Sequence, residues 1–190
     1  MEVLEREYRT VDKSEWGEGS WRNEPDKVQW IDHDTGLDCL AVRHQHSGHW
    51  CGYVGVPESH PLHGQSYSDF YDVDLDFRVH GGLTFSEGCD EEGDEFTNIC
   101  HVPFDGRSDN VWWFGFDCAH SGDLSPQRTV YNKKKFEEER AKGNSGWPWG
   151  PLMGLEEEYR TLEYVKVECK SLAAQLVTVT SYTPPIREED

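Results

Sequence analysis

Leu155, Tyr159, Leu162, Val165, Cys169, Leu172 and Leu176 recur at steps of four, three, three, four, three and four. That spacing is the apolar stripe of one amphipathic helix, with Glu156, Glu157 and Glu158 suited to its N-terminal dipole. A helix with a single apolar stripe has to cover something, and the preceding chain offers a sheet. Val28-Gln29-Trp30-Ile31 reads as a strand, Asp34-Thr35-Gly36 supplies turn chemistry, and residues 37–44 read as the hairpin partner. Ser47-Gly48 makes a second turn before the strand Trp50-Cys51-Gly52-Tyr53-Val54-Gly55-Val56, which Pro57 ends by removing a backbone donor. Residues 77–85 read as a fourth strand, interrupted by Gly81-Gly82 at a bulge or a close backbone approach. Val111-Trp112-Trp113-Phe114-Gly115-Phe116 is the most apolar run and the candidate central strand. Strands joined by short turns predict an antiparallel meander. The expected fold is α+β: an antiparallel sheet of four to six strands with the C-terminal amphipathic helix packed on one face.

Around this framework, residues 1–26 are polar, with eight acidic and four basic side chains, and read as a mobile or loosely docked arm that only Trp16 and Trp21 can anchor. Residues 27–183 form the expected single domain, with a short charged helix at 133–142 and a short extra strand at 177–183. Residues 184–190 read as a free tail. The chain has 190 residues and a net charge of −19, yet carries eight Trp, eight Tyr and eight Phe. Disordered acidic chains lack aromatics, so this one folds. No apolar run approaches the ~20 residues of a membrane span, and the charged start lacks the apolar core of a signal peptide. A soluble cytoplasmic protein is expected, with no membrane contact. At −19 direct nucleic-acid binding is not expected. Without a secretory signal, the six cysteines (39, 51, 89, 100, 118 and 169) are expected to be free thiols.

Several strings resemble a family of uncharacterised small hypothetical proteins of phages and prophage-bearing bacterial genomes. They are Asp34-Thr35-Gly36-Leu37 with Cys39-Leu40, Cys51-Gly52-Tyr53-Val54-Gly55-Val56-Pro57, His60-Pro61-Leu62, Val79-His80-Gly81-Gly82-Leu83-Thr84, Ile99-Cys100-His101-Val102-Pro103, residues 112–123, and the helix at 164–176. The resemblance spans residues 25–177. It implies a phage setting, in a bacterial host cell, and an accessory or counter-defence role. The histidine-rich stretch 43–49 and the segment 133–142 depart from the family pattern.

Phe116-Asp117-Cys118-Ala119-His120-Ser121-Gly122-Asp123 follows the apolar strand, so a rigid element delivers titratable groups to a rim. Asp117 or Asp123 can orient His120, and a carboxylate-held imidazole is a usable general base. The alternative is a loop or capping network. His80 beside Gly81 and Gly82 can face a ligand approached by bare backbone amides, or sit as a hydrogen-bonded core histidine on a bulged strand. The candidate catalytic set is therefore His80, Asp117 and His120, with Gly81, Gly82, Thr84, Trp113 and Asp123 as ligand-binding candidates. Cys51, Cys89, Cys100 and Cys118, with His101 and His120, are candidate zinc ligands by residue type, although no pair has CxxC spacing. His44, His46 and His49 read as a polar turn, and Cys118 with His120 as a weak nucleophilic pair. There is no Gly-x-Ser-x-Gly elbow and no phosphate-cradling Walker loop.

Residues 65–110 carry twelve acidic side chains against Arg78 and Arg107, which is −10 and more than half the total charge. Asp69, Asp72, Asp74, Asp76, Asp90, Glu91, Glu92, Asp94 and Glu95 mark a candidate surface for a basic host or defence protein. Three functions follow as expectations. The first is a cytoplasmic phage accessory protein binding a small ligand at the His80, Gly81, Gly82, Asp117 and His120 pocket. The others are an acidic inhibitor that mimics nucleic acid, as an anti-CRISPR does, and a small hydrolase with a histidine base. A phosphorylated ligand needs a local positive group such as Arg78 or Arg107.

Overall fold

The computed structural model describes residues 4–73, 75–89, 98–144 and 157–185. Six strands, β1 (Glu5–Tyr8), β2 (Lys27–Ile31), β3 (Asp38–Arg43), β4 (Trp50–Pro57), β5 (Phe85–Glu87) and β6 (Val111–Asp117), form one sheet in the order β1-β2-β3-β4-β6-β5. All neighbouring pairs are antiparallel. Two helices follow, α1 (Pro126–Ala141) and α2 (Leu162–Leu176). The α+β expectation holds, with α2 packed on the sheet against β4 and β3.

The sheet has two covered faces. On the α2 side Val165, Cys169, Leu172, Ala173 and Leu176 meet Cys39, Ala41, Val54, Phe114 and Phe116, all buried. Gly52 permits this approach: a Cβ there would lie 2.5 Å from the Phe116 ring and 2.9 Å from Cys169 Sγ. The other face holds a smaller cluster of Leu40, Val42, Tyr53, Val111 and Trp113. Its cover is a strap at residues 98–104, tied down by polar side chains of β2. Gln29 Nε2 donates to Val102 O at 2.7 Å and Gln29 Oε1 accepts from Val102 N at 3.0 Å, while Lys27 Nζ donates to Asn98 Oδ1 at 3.1 Å. Lys27 and Gln29 are each 1% exposed, and these bonds offset the desolvation their burial costs.

The structure corrects five local readings. The polar start is not a detached arm, because β1 pairs along β2 and Trp16 is buried. Residues 77–84 are not a strand: Gly81 and Gly82 adopt φ of +68° and +86°, and only Phe85–Glu87 joins the sheet. Residues 177–183 form no strand. The charged helix starts earlier than expected, at Pro126, where proline's missing N–H costs nothing. Helix α2 starts at Leu162, with Thr161 Oγ1 accepting from Tyr164 N at 3.2 Å. Tyr159 and Glu158 therefore precede the helix, and Leu155, Glu156 and the end of the tail from 186 lie outside the described residues. No helix among the described residues is long and apolar enough to cross a membrane.

A buried ionic cluster fastens the start of the chain to the rest. The Arg43 side chain is fully buried, and its Nη2 donates to Glu24 Oε2 at 3.0 Å while its Nη1 donates to Gly48 O at 2.8 Å. The guanidinium lies over Trp50, 4.2 Å from the ring centroid. Glu24 Oε2 also accepts from Trp50 Nε1 and from the Tyr159 hydroxyl, and Glu24 Oε1 accepts from Leu162 N at the head of α2. Burial alone raises the Glu24 carboxyl, but these donors outweigh it and hold the group below its usual range. Its contribution is therefore present above the unfolded carboxyl pKa and is lost as pH falls through the lower folded value. Removing one partner strands a buried charge, so Glu24→Ala is expected to cost about 3–5 kcal/mol in urea unfolding at neutral pH. Its stability should also fall less than wild type's on acidification below about pH 4. A loss under about 1 kcal/mol contradicts this account.

Candidate functional site

Two histidine clusters lie apart, and their hydrogen bonding differs. The first joins the turn at His80 to the loop after β6 and to the first turns of α2. Asp123 is buried, and its Oδ2 accepts from His80 Nε2 at 2.7 Å and from the His120 backbone N–H at 3.0 Å. Arg160 Nε donates to Asp123 Oδ1 at 2.9 Å. A carboxylate only accepts, so His80 Nε2 carries the proton, and in the neutral ring Nδ1 accepts from the Tyr164 hydroxyl at 2.9 Å. The His80 backbone N–H donates to Glu168 Oε2 at 2.7 Å. Burial would raise Asp123, but the bonds from His80 and Arg160 prevail and hold its carboxyl below the usual range.

This arrangement has the outline of a triad, but His80, Asp123 and Tyr164 are spent on one another, while His120 Nε2 has no hydrogen-bond partner among the described residues. His80 has no free lone pair for a substrate. Burial and then the Glu168 charge push the Tyr164 phenol up, away from the phenolate a nucleophile requires. The sequence pointed to Asp117 or Asp123 as the group orienting His120; Asp123 holds His80 instead, and Asp117 Oδ1 stands 3.9 Å from His120 Nε2, too far for a hydrogen bond. Nor is the Gly82 amide free, since it donates to Val79 O at 3.0 Å. Thr84 is exposed and its N–H donates to Gly115 O. Trp113 is fully buried in the cluster on the opposite face and takes no part here.

Of the remaining candidates, Cys118 is buried and its thiol pushed far up by burial, which makes it inert as a nucleophile. Burial likewise pushes Cys51 up to about 12. The His44 and His49 rings stack at 4.9 Å, and Ser47 Oγ reaches Nδ1 of each at 2.8 Å. Burial lowers His49 to about 4, so the turn is an internally bonded corner. Arg107 is spent on Asp38, with Nη2 2.6 Å from Oδ2. Of the acidic surface, Asp69 is half-buried, Asp72 and Asp76 are exposed, and Asp74, Asp90, Glu91, Glu92, Asp94 and Glu95 lie outside the described residues.

The second cluster draws three of the six candidate zinc ligands, Cys89, Cys100 and His101, into one place. Cys89 and Cys100 form a disulfide, which overturns the expectation of six free thiols for this pair; Cys39, Cys51, Cys118 and Cys169 remain free. The bond pins the end of β5 to the strap that covers the second face. It removes Cys89 and Cys100 from any thiolate set as the structure stands, and neither Cys51 nor Cys118 joins them. His101, next in the chain, has a side chain only 1% exposed, set edge-on to Trp113 with centroids 5.2 Å apart. Neither of its ring nitrogens has a hydrogen-bond partner, although Asp38 Oδ1 lies 4.0 Å from Nε2. Beside it opens a cleft of about 520 Å³ at the start of β6, lined by His63, Cys89, Cys100, His101, Asp109 and Trp112 among others. His63 Nε2 is also buried without a partner. Cys89, Cys100 and His101 all stood among the candidate ligands read from the sequence; what the spacing did not show is that these three come together while Cys51, Cys118 and His120 stay apart from them.

Compared with known proteins, the chain matches no family model, no curated protein and no solved structure.

Gly81 tests the first cluster. A Cβ there would fall 1.8 Å from His120 Nε2, whereas one at Gly82 would meet nothing within 4 Å. Both replacements bear the left-handed backbone cost of about 1 kcal/mol. Gly81→Ala must also expel the His120 ring, so it should lower stability by ~1–3 kcal/mol more than Gly82→Ala. Chemical denaturation of both variants, with the His120 imidazole signals followed by NMR, reads the difference; equal losses with an unmoved His120 would refute the packing.

Proposed function

We propose that this chain is a small-ligand-binding accessory protein of phage origin, acting in the cytoplasm of a bacterial host, and that its ligand occupies the His101 cleft. The observation that carries this reading is His101 itself. A buried polar group without a partner costs ~1–3 kcal/mol, and here two such histidines border a cavity of the size small molecules use. The phage setting is supported by the motif resemblance in residues 25–177.

The lining favours one class of ligand. Among the described residues it includes Asp109 and no lysine or arginine, and the protein carries −19, so a phosphorylated ligand would meet repulsion on both scales. A neutral or cationic heterocycle suits the site better: its N–H or O–H groups donate to the imidazoles and its ring lies along Trp112. The hydrolase reading loses His80, which is committed on both nitrogens, and rests on His120 alone. The acidic-inhibitor reading rests on charge alone.

A screen of neutral and cationic heterocyclic fragments against isotope-labelled protein is expected to shift the Trp112 indole and the amides of Asn110 and Val111. His101→Ala and Trp112→Ala should each weaken the best fragment ~10-fold, the worth of one buried hydrogen bond or contact patch. His80→Ala should leave its affinity unchanged. Fragments that shift His80 and His120 instead, or that bind equally well to His101→Ala, sink this assignment.

A further inference from the structure

We propose that Cys89, Cys100 and His101 form a zinc site in the reduced protein, of which the disulfide is the metal-free, oxidised form. The ligand atoms of these three residues all lie within 4.8 Å of one another. Zinc held at ~2.3 Å from sulfur and ~2.0–2.1 Å from nitrogen places tetrahedral ligand atoms ~3.5–3.8 Å apart. Opening the disulfide frees the two sulfurs to separate to that spacing with little backbone movement, since their Cα atoms are 4.7 Å apart and the strap is fastened independently by Gln29 and Lys27.

The second, independent observation is His101. Its ring is buried against the disulfide with both nitrogens unpartnered, an arrangement that a metal ion relieves. Asp38 stands behind Nε2 at 4.0 Å and is itself held by Arg107. A carboxylate behind a histidine ligand is the usual outer support of such centres. Two thiolates and one imidazole select zinc over calcium or magnesium, which take oxygen ligands. Three protein ligands leave a fourth position, and all three ligand residues line the cleft.

The redox step balances with an external dithiol reductant. One of its thiolates attacks a sulfur of the Cys89–Cys100 bond to give a mixed disulfide. Its second thiol displaces the protein sulfur, leaving two protein thiols and a disulfide in the reductant. Zinc binding then displaces one proton from each protein thiol. In the oxidised form neither sulfur is a thiolate, so the site is closed to the metal.

This inference goes beyond ligand binding in the same cleft, and metal alone tests it. The full chain is reduced with a phosphine, desalted without oxygen and titrated with zinc against a chromophoric chelator. About one equivalent should bind, and cobalt in its place should show thiolate-to-metal charge-transfer absorption. The oxidised protein should bind at least ~100-fold more weakly. His101→Gln should lose ~10-fold or more in affinity, and the double variant Cys89→Ser with Cys100→Ser should lose the site, while Cys51→Ser and Cys118→Ser keep it. Zinc uptake by the oxidised protein or by the double variant overturns the proposal, as does uptake below about a tenth of an equivalent by reduced wild type. Alkylation of the reduced, unmutated chain, read by mass spectrometry, needs no variant to fold: zinc should protect Cys89 and Cys100, and equal labelling with and without zinc overturns the site. The heterocycle screen uses the oxidised protein, so either reading can fail without the other.

Discussion

The Glu24 carboxylate meets Arg43 of β3, Trp50 of β4, the Tyr159 hydroxyl and the first N–H of α2. Burying both charges costs several kcal/mol per ion before any attraction is counted. The cost is offset because each oxygen has donors waiting and the guanidinium is sandwiched by indoles and bonded to carbonyls. Such a cluster is directional where the apolar core is not. Leu172 would accept many neighbours; Glu24 accepts one arrangement of strands and helix. It explains how a chain start with a net charge of −4 over residues 1–26 becomes part of the fold, and why α2 begins at Leu162 when its apolar stripe runs further back.

Strands β2, β3, β4 and β6 and helix α2 were legible in the sequence because each obeys a period: apolar runs bounded by turn residues, or a stripe at steps of three and four. Where a polar residue does a core residue's work, the pattern is silent. Gln29 and Lys27 look like the wet face of a strand, yet they are buried and hold the strap. Glu24, Asp26 and Arg43 look like surface charges. The false strand at 77–85 arose because Val79, Leu83 and Phe85 alternate acceptably, while the positive φ at Gly81 and Gly82 turns the chain back on itself. The site fared similarly. His80, His120 and Asp123 were recognisable as a group, but which carboxylate holds which imidazole depends on a turn geometry no spacing encodes. Cys89 follows β5 and Cys100 lies on the strap held by Gln29 and Lys27, so their pairing depends on polar contacts that no spacing encodes.

The two histidine clusters show how little residue type decides alone. His80 has a phenol on one nitrogen and an ionised, arginine-backed carboxylate on the other, so it joins loop, turn and helix and has nothing left to offer. His101 is buried more deeply and bonded to nothing, next to a cavity and two sulfurs. Chemistry is to be sought where bonding capacity is unspent. On that criterion the resemblance to a catalytic triad at His80 is the weaker lead, although it looks more familiar.

The margins of the sheet have a consequence of their own. Strand β1 spans four residues and β5 only three, while the long strands β4 and β6 lie inside. An outer strand of three or four residues offers a neighbouring chain almost no ladder to extend, and Glu5, Arg6 and Glu7 along one border with Glu87 on the other add charge to both. Lys166 further ties Glu5 back to α2. A protein with eight tryptophans and two aromatic-rich inner strands thus keeps both described borders of its sheet short and charged.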